Sequence, residues 1–98
     1  MIAKIEWTND IIQRYNATYD YLEEHVGLRA AQKFMSDFWA GLETVSKMPT
    51  LGRRSKKDDT VYFYRFDKHR VFYFRLEGNV LILIDLFSQR QNPADNPY

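Results

Sequence analysis

Gly78-Asn79 divides a long stretch of strand-forming residues into two apolar runs, 70–76 and 80–87, and no other feature leaves the chain fewer choices. Glycine readily takes the positive φ that a two-residue hairpin turn requires. The two runs are therefore predicted to pair antiparallel, with Glu77 opposite Val80. A third run at 61–66 joins them, and Asp67, Lys68 and His69 fill the turn between. A short alternating segment at 2–7 reads as one more strand. The stretch "PTLGRRSKKDD" between 49 and 59 reads as a loop, since it carries turn formers and charges but little to bury.

Between the first strand and that loop lie two helical stripes. Ile11, Ile12, Tyr15, Tyr19, Leu22 and Val26 recur at helical spacing, as do Leu28, Ala31, Phe34, Met35, Phe38, Leu42 and Val45. Thr8 or Asn9 suits the N-cap of the first helix, Gly27 its end, and Pro49 stops the second. Helices over about 9–26 and 29–47, joined this tightly, form an antiparallel hairpin. The order β-α-α-β-β-β predicts an α+β fold, with the helix hairpin on one face of a mainly antiparallel sheet. Residues 1–98 are expected to form a single domain.

Composition excludes several chemistries. There is no cysteine, so disulfides, thiolate metal sites and cysteine nucleophiles are out. No Gly-rich phosphate loop, zinc-ligand spacing or nucleophile elbow occurs, and no cofactor is expected. The longest apolar run is far short of the ~20 residues of a membrane span. The N-terminus turns acidic where a signal peptide would be apolar, so no membrane association and a cytoplasmic location are expected. The net charge of +1 conceals an asymmetry: residues 1–48 hold five Lys/Arg against seven Asp/Glu (−2), and residues 49–98 nine against six (+3). The excess gathers in Arg53, Arg54, Lys56, Lys57, Arg65, Lys68, Arg70 and Arg75. It suits either an anionic partner or a solvated rim.

Strand alternation then places the side chains. With Tyr73 opposite Ile84 and an even-length turn before Arg70, one face holds Tyr62, Tyr64, Phe66, Val71, Tyr73, Val80, Ile82, Ile84 and Leu86. That face is predicted to seat the helices. The other would hold Val61, Phe63, Phe74, Leu76, Leu81 and Leu83 at one end and gather Arg65, Asp67, Arg70 and Asp85 at the other, with Arg90 emerging nearby and Phe63, Phe72 and Phe74 left uncovered. An odd-length turn would put the charge of Arg65 under the helices, at a cost. The cluster reads either as ion pairs, Arg70 with Asp85 and Arg65 with Asp67, or as a phosphate or carboxylate site. The exposed aromatics predict a covering partner or a homodimer.

A short first strand ending in Trp7, the helix hairpin, "MPTLGR", "HRVFY" and "LILIDLFSQRQNP" follow one another over nearly the whole chain. In this order the chain resembles the RelE/ParE superfamily of toxins from bacterial type II toxin–antitoxin modules. The resemblance implies a growth-inhibiting toxin neutralised by a cognate antitoxin. RelE-like members cut messenger RNA, often on the ribosome, whereas ParE-like members act on DNA gyrase without a nuclease site. For a ribonuclease, Arg70 and Arg90 match arginines of the nuclease branch, with Arg65 beside them to stabilise the phosphorane and His69 as acid or base. Tyr98 stands farther from Arg90 than the family's C-terminal tyrosine does, and the lysines of the second strand are missing. Arg53, Arg54, Lys56 and Lys57 are the expected contacts to nucleic acid or another target, and Trp39 an edge that an antitoxin covers. The low net charge and "MPTLGR" favour the ParE-like reading. An endoribonuclease and a non-toxic member of the superfamily are the alternatives.

Overall fold

The computed structural model describes residues 2–89 and 96–98. Strand β1 (Lys4–Trp7) leads into helices α1 (Asn9–His25) and α2 (Leu28–Lys47). A 3-10 turn (Pro49–Leu51) follows, then β2 (Arg53–Arg54), β3 (Tyr62–Arg65), β4 (Arg70–Glu77) and β5 (Val80–Ser88). The sheet order is β1-β5-β4-β3-β2. All neighbours are antiparallel except β1, which runs parallel to β5 with Lys4 opposite Val80. The predicted order is present, with the two-residue β2 added where the sequence reads as loop.

Thr8 is the α1 cap. Its hydroxyl accepts from the Ile11 amide and lies 2.9 Å from the carbonyl oxygens of Leu83 and Ile84, which stitches the helix start to β5. Gly27 sits between the helices at φ +136°, and Gly78 opens the β4–β5 turn at φ +61°. Ala31, Phe34, Phe38, Leu42 and Val45 of α2 pack on Phe72, Phe74, Leu81, Leu83 and Leu86 of the sheet. At the centre, the Phe38 ring lies 5.0–6.4 Å from those of Trp7, Tyr15, Phe34, Trp39, Phe66 and Phe72. Such tilted and edge-on pairs add to the apolar burial that supplies most of the fold's stability.

The facing of β4 and most of β5 is the reverse of that predicted. Tyr62, Tyr64, Phe66 and Leu86 do lie on the helix side, but so do Phe72, Phe74, Leu81 and Leu83, which are buried there. Val71, Tyr73 and Ile84 pack on the open face with Val61, Phe87 and Phe63. Two irregularities explain this. Phe66 N–H donates to the Arg70 carbonyl across a three-residue turn, so Arg65 pairs with Val71 rather than Phe72. A bulge at Ile84 then shifts the β4–β5 register, and Asp85 comes opposite Tyr73. An extra residue in one strand inverts the alternation beyond it.

Candidate functional site

The odd-length turn is held by Asp67. Its Oδ1 accepts from the amides of His69 and Arg70, each at 2.7 Å, and its Oδ2 lies 3.2 Å from Arg70 Nη1. Arg70 shares the parity of Phe72 and so leaves the sheet on the helix side. There its guanidinium lies 5.5 Å from the Phe34 ring centroid. His69, Asp67 and Arg70 line a cleft of about 200 Å³ against Phe34 and Lys33 of α2. The expected Arg70–Asp85 and Arg65–Asp67 pairs are replaced by Arg70–Asp67 and Arg14–Asp85.

Arg65 leaves by the other face and is exposed. On that face Arg53 pairs across the ladder with Phe63, two residues before Arg65. The two arginines flank a cleft of about 350 Å³ that Phe63 and Leu51 complete. Neither has a carboxylate partner among the described residues. Arg54 turns the opposite way and lies over the Tyr62 ring at 5.8 Å. Lys56 is exposed just after β2, and Lys57 Nζ donates to the Asn96 carbonyl. Thus Arg65 and Arg70, expected together, stand on opposite faces, and Arg53 joins Arg65 instead. Arg90 lies outside the described residues.

Asp85 is buried at 5% exposure, where the free edge of β5 meets α1. Its Oδ1 accepts from Arg14 Nε at 3.2 Å and from the Leu86 amide at 2.8 Å. Burial pushes the carboxyl above its ordinary value, and those two donors only partly oppose it. Arg14 in turn lies 4.8 Å from the Phe87 ring. Nothing in its helical spacing marks it as a partner, because the contact arises only from β1 ending at Trp7, short of Asp85.

The other feature the sequence conceals is at 96–98. Tyr98 packs its ring on Tyr73 and Phe87, with centroids 5.3 and 6.3 Å away. Its carbonyl accepts from the Ser55 hydroxyl. The Asn96 side chain donates to the Tyr73 hydroxyl at 3.0 Å and accepts from the Tyr98 amide at 2.9 Å. The expected exposed aromatic surface is therefore largely absent, since Phe72 and Phe74 are fully buried and only Phe63 remains partly open. Trp39 is 48% exposed, with its indole N–H donating to the Tyr15 hydroxyl.

No group of metal-ligating side chains occurs among the described residues, and no helix there is long and apolar enough to cross a membrane. Residues 5–93 match the family described as "ParE toxin of type II toxin-antitoxin system, parDE". Solved structures share the fold. That of the "Chromosomal ParDE TA system from P. aeruginosa" superposes with a TM-score of 0.73 at 17% identity, over 87% of this chain and 94% of that one. The "YoeB/ParE toxin from Agrobacterium tumefaciens" gives 0.63 at 14%, over 87% and 96%. The "YoeB dimer from Staphylococcus aureus" gives 0.60 at 11%, over 84% and 91%. No curated protein is a significant sequence relative.

Proposed function

Because the chain belongs to the ParE family of type II toxin–antitoxin toxins, we propose that it arrests growth by binding DNA gyrase in the cytoplasm rather than by cutting RNA. The separation of Arg65 from Arg70 carries this reading. Cleavage at a ribose 2′-OH asks for cations around one phosphate with an acid and a base beside them. Here Arg70 is neutralised by Asp67 and lies with His69 on the helix side, while Arg65 stands on the open face. Asp85 is held by Arg14. A protein target needs no such convergence. Arg53, Lys56 and Arg65 offer it exposed charge around the partly open Phe63. Arg54 and Lys57 border the same rim.

Induced expression tests this, with growth, transcript integrity and DNA breaks read in parallel for wild type, Arg53→Ala/Arg65→Ala, Arg70→Ala and Arg90→Ala. The expected result is DNA breakage with intact transcripts, weakened most by the open-face pair. Rapid transcript cleavage abolished by Arg70→Ala and Arg90→Ala would instead establish a ribonuclease. Normal growth at full expression would establish a non-toxic member.

A further inference from the structure

Strand β1 ends at Trp7, opposite Leu83, so beyond that point the outer edge of β5 has no neighbouring strand. Helix α1 runs past this edge instead. Arg14, Ala17 and Tyr21 stand three and four positions apart on one face of α1. With Leu86 and Phe87 of β5 and Arg70 of β4 they line a cleft of about 500 Å³, a size that suits a small molecule. Leu86 and Phe87 are buried and give it an apolar floor. Among the described residues neither a carboxylate nor an imidazole lines it.

The two arginines draw their counter-charges from outside the cleft. Asp85 takes Arg14 Nε, and Asp67 takes Arg70 Nη1, each at 3.2 Å. Each anchor occupies one nitrogen of a group with five N–H donors, and the other guanidinium nitrogens have no described hydrogen-bond partner. The rings of Phe87 and Phe34, 4.8 and 5.5 Å away, further restrict the two guanidinium groups. The Arg70 side chain is only 25% exposed, so its spare donors are partly withdrawn from water and gain from an acceptor. Two forked donors over an apolar floor complement an oxyanion on a flat apolar body. Two positive groups hold a dianion better than a monoanion, which selects phosphate over carboxylate. Tyr21, 59% exposed at the rim, offers its ring to that body.

We propose that this cleft is a binding site for a small phosphate monoester that carries a flat ring. With no acid or base in its lining, it holds the phosphate without cleaving it. The inference does not depend on gyrase being the target.

Nuclear magnetic resonance titrations of the full chain test it, with phenyl phosphate, adenosine monophosphate, inorganic phosphate and benzoate as probes. The first two should saturate at about 1 mM or below, moving the Arg14 and Arg70 side-chain signals together with the Leu86 and Phe87 amides. Whichever is tighter names the ring as a simple aryl group or a nucleobase. Inorganic phosphate, without the ring, and benzoate, with one charge, should each bind about threefold or more weaker. Ala17 is exposed, so substitution there spares the core. Ala17→Glu sets a carboxylate beside the arginines and should weaken binding about tenfold or more, whereas Ala17→Gln, of the same bulk, should cost about threefold or less. Arg14→Lys keeps the charge, loses the fork and should cost about fivefold. Shifts that grow without saturating, equal affinity of Ala17→Glu and Ala17→Gln, or benzoate as tight as phenyl phosphate would overturn the proposal. So would a short single-stranded RNA that moves the same signals at lower concentration, since the two arginines would then be a nucleic-acid contact.

Discussion

If Arg70 is a brace for the β3–β4 turn rather than a contact to a target, its removal must register first in stability. The Asp67 carboxylate makes two 2.7 Å bonds to backbone amides and one 3.2 Å ion pair, with the two side chains 11% and 25% exposed. Hydrogen bonds to a charged group contribute about 1.5–3 kcal/mol when buried. Discounted for this rim position, Asp67→Ala is expected to cost about 2–3 kcal/mol. Asp67→Asn keeps an acceptor for the amides and loses only the ion pair, at about 1 kcal/mol or less. Arg70→Ala forfeits that pair and the contact with Phe34, about 1–2 kcal/mol together. Arg65→Ala should stay within about 0.5 kcal/mol. Urea unfolding followed by the fluorescence of Trp7 and Trp39 measures these differences, and in thermal melts each kcal/mol appears as about 4–8 °C. Toxicity on induction should then fall with stability across the Asp67 and Arg70 variants, whereas Arg65→Ala, on the proposed target face, should lose toxicity without losing stability. An Arg70→Ala protein as stable as wild type but without toxicity would refute the reasoning and make Arg70 a functional contact.

Three further expectations follow from packing and charge. Asp85→Asn keeps an Oδ1 acceptor for Arg14 and Leu86 but removes the desolvated charge. Because the folded carboxyl is raised, its favourable share is complete below its unfolded pKa and is lost as pH rises through the folded value; the variant should gain stability at pH 7, with the gain vanishing in acid unfolding series. Gly41→Ala gains about 1 kcal/mol of helix propensity. Its new methyl would stand 2.8 Å from Phe66 Cβ, so overpacking of about 1–3 kcal/mol should make it a net loss, and a stabilised variant would show that α2 can lift off the sheet. Phe38→Ala, emptying the centre of the ring cluster, should cost about 3–5 kcal/mol in the same urea assay.

The helices and their junction were legible because the apolar stripes are unbroken and Gly27 and Pro49 punctuate them. The strands were legible as runs, but their facing was not. Phe72-Tyr73-Phe74 and Leu81-Ile82-Leu83-Ile84 are apolar at consecutive positions, so the pattern itself does not choose a face. The choice passes to a three-residue turn and a bulge. The turn has a local cause in Asp67, an Asx acceptor for the amides that follow it. The bulge has none in β5 alone, because Thr8 binds the carbonyls of Leu83 and Ile84 from across the sheet edge. The docking of 96–98 was equally hidden, since it depends on main-chain carbonyls that every sequence possesses.

Those two irregularities decide how the basic excess of the second half is distributed. Arg70 is paired with Asp67, Arg75 with Asp58, and Arg54 lies on Tyr62, while Lys57 binds the Asn96 carbonyl. Charge without a carboxylate partner among the described residues is left on Lys68 at the helix-side cleft and on Arg53, Lys56 and Arg65, which border the open-face cavities. With a net charge of +1 and a screening length of about 8 Å at physiological salt, the molecule offers little long-range pull on a polyanion. What it offers is short-range discrimination: three cations beside aromatic surface, where a carboxylate-bearing protein segment gains both pairing and burial. A register with even parity would have placed Arg65 and Arg70 on one face as a compact phosphate site. The odd turn instead divides them, and it is this division that supports the proposed protein target over a cleaved nucleic acid.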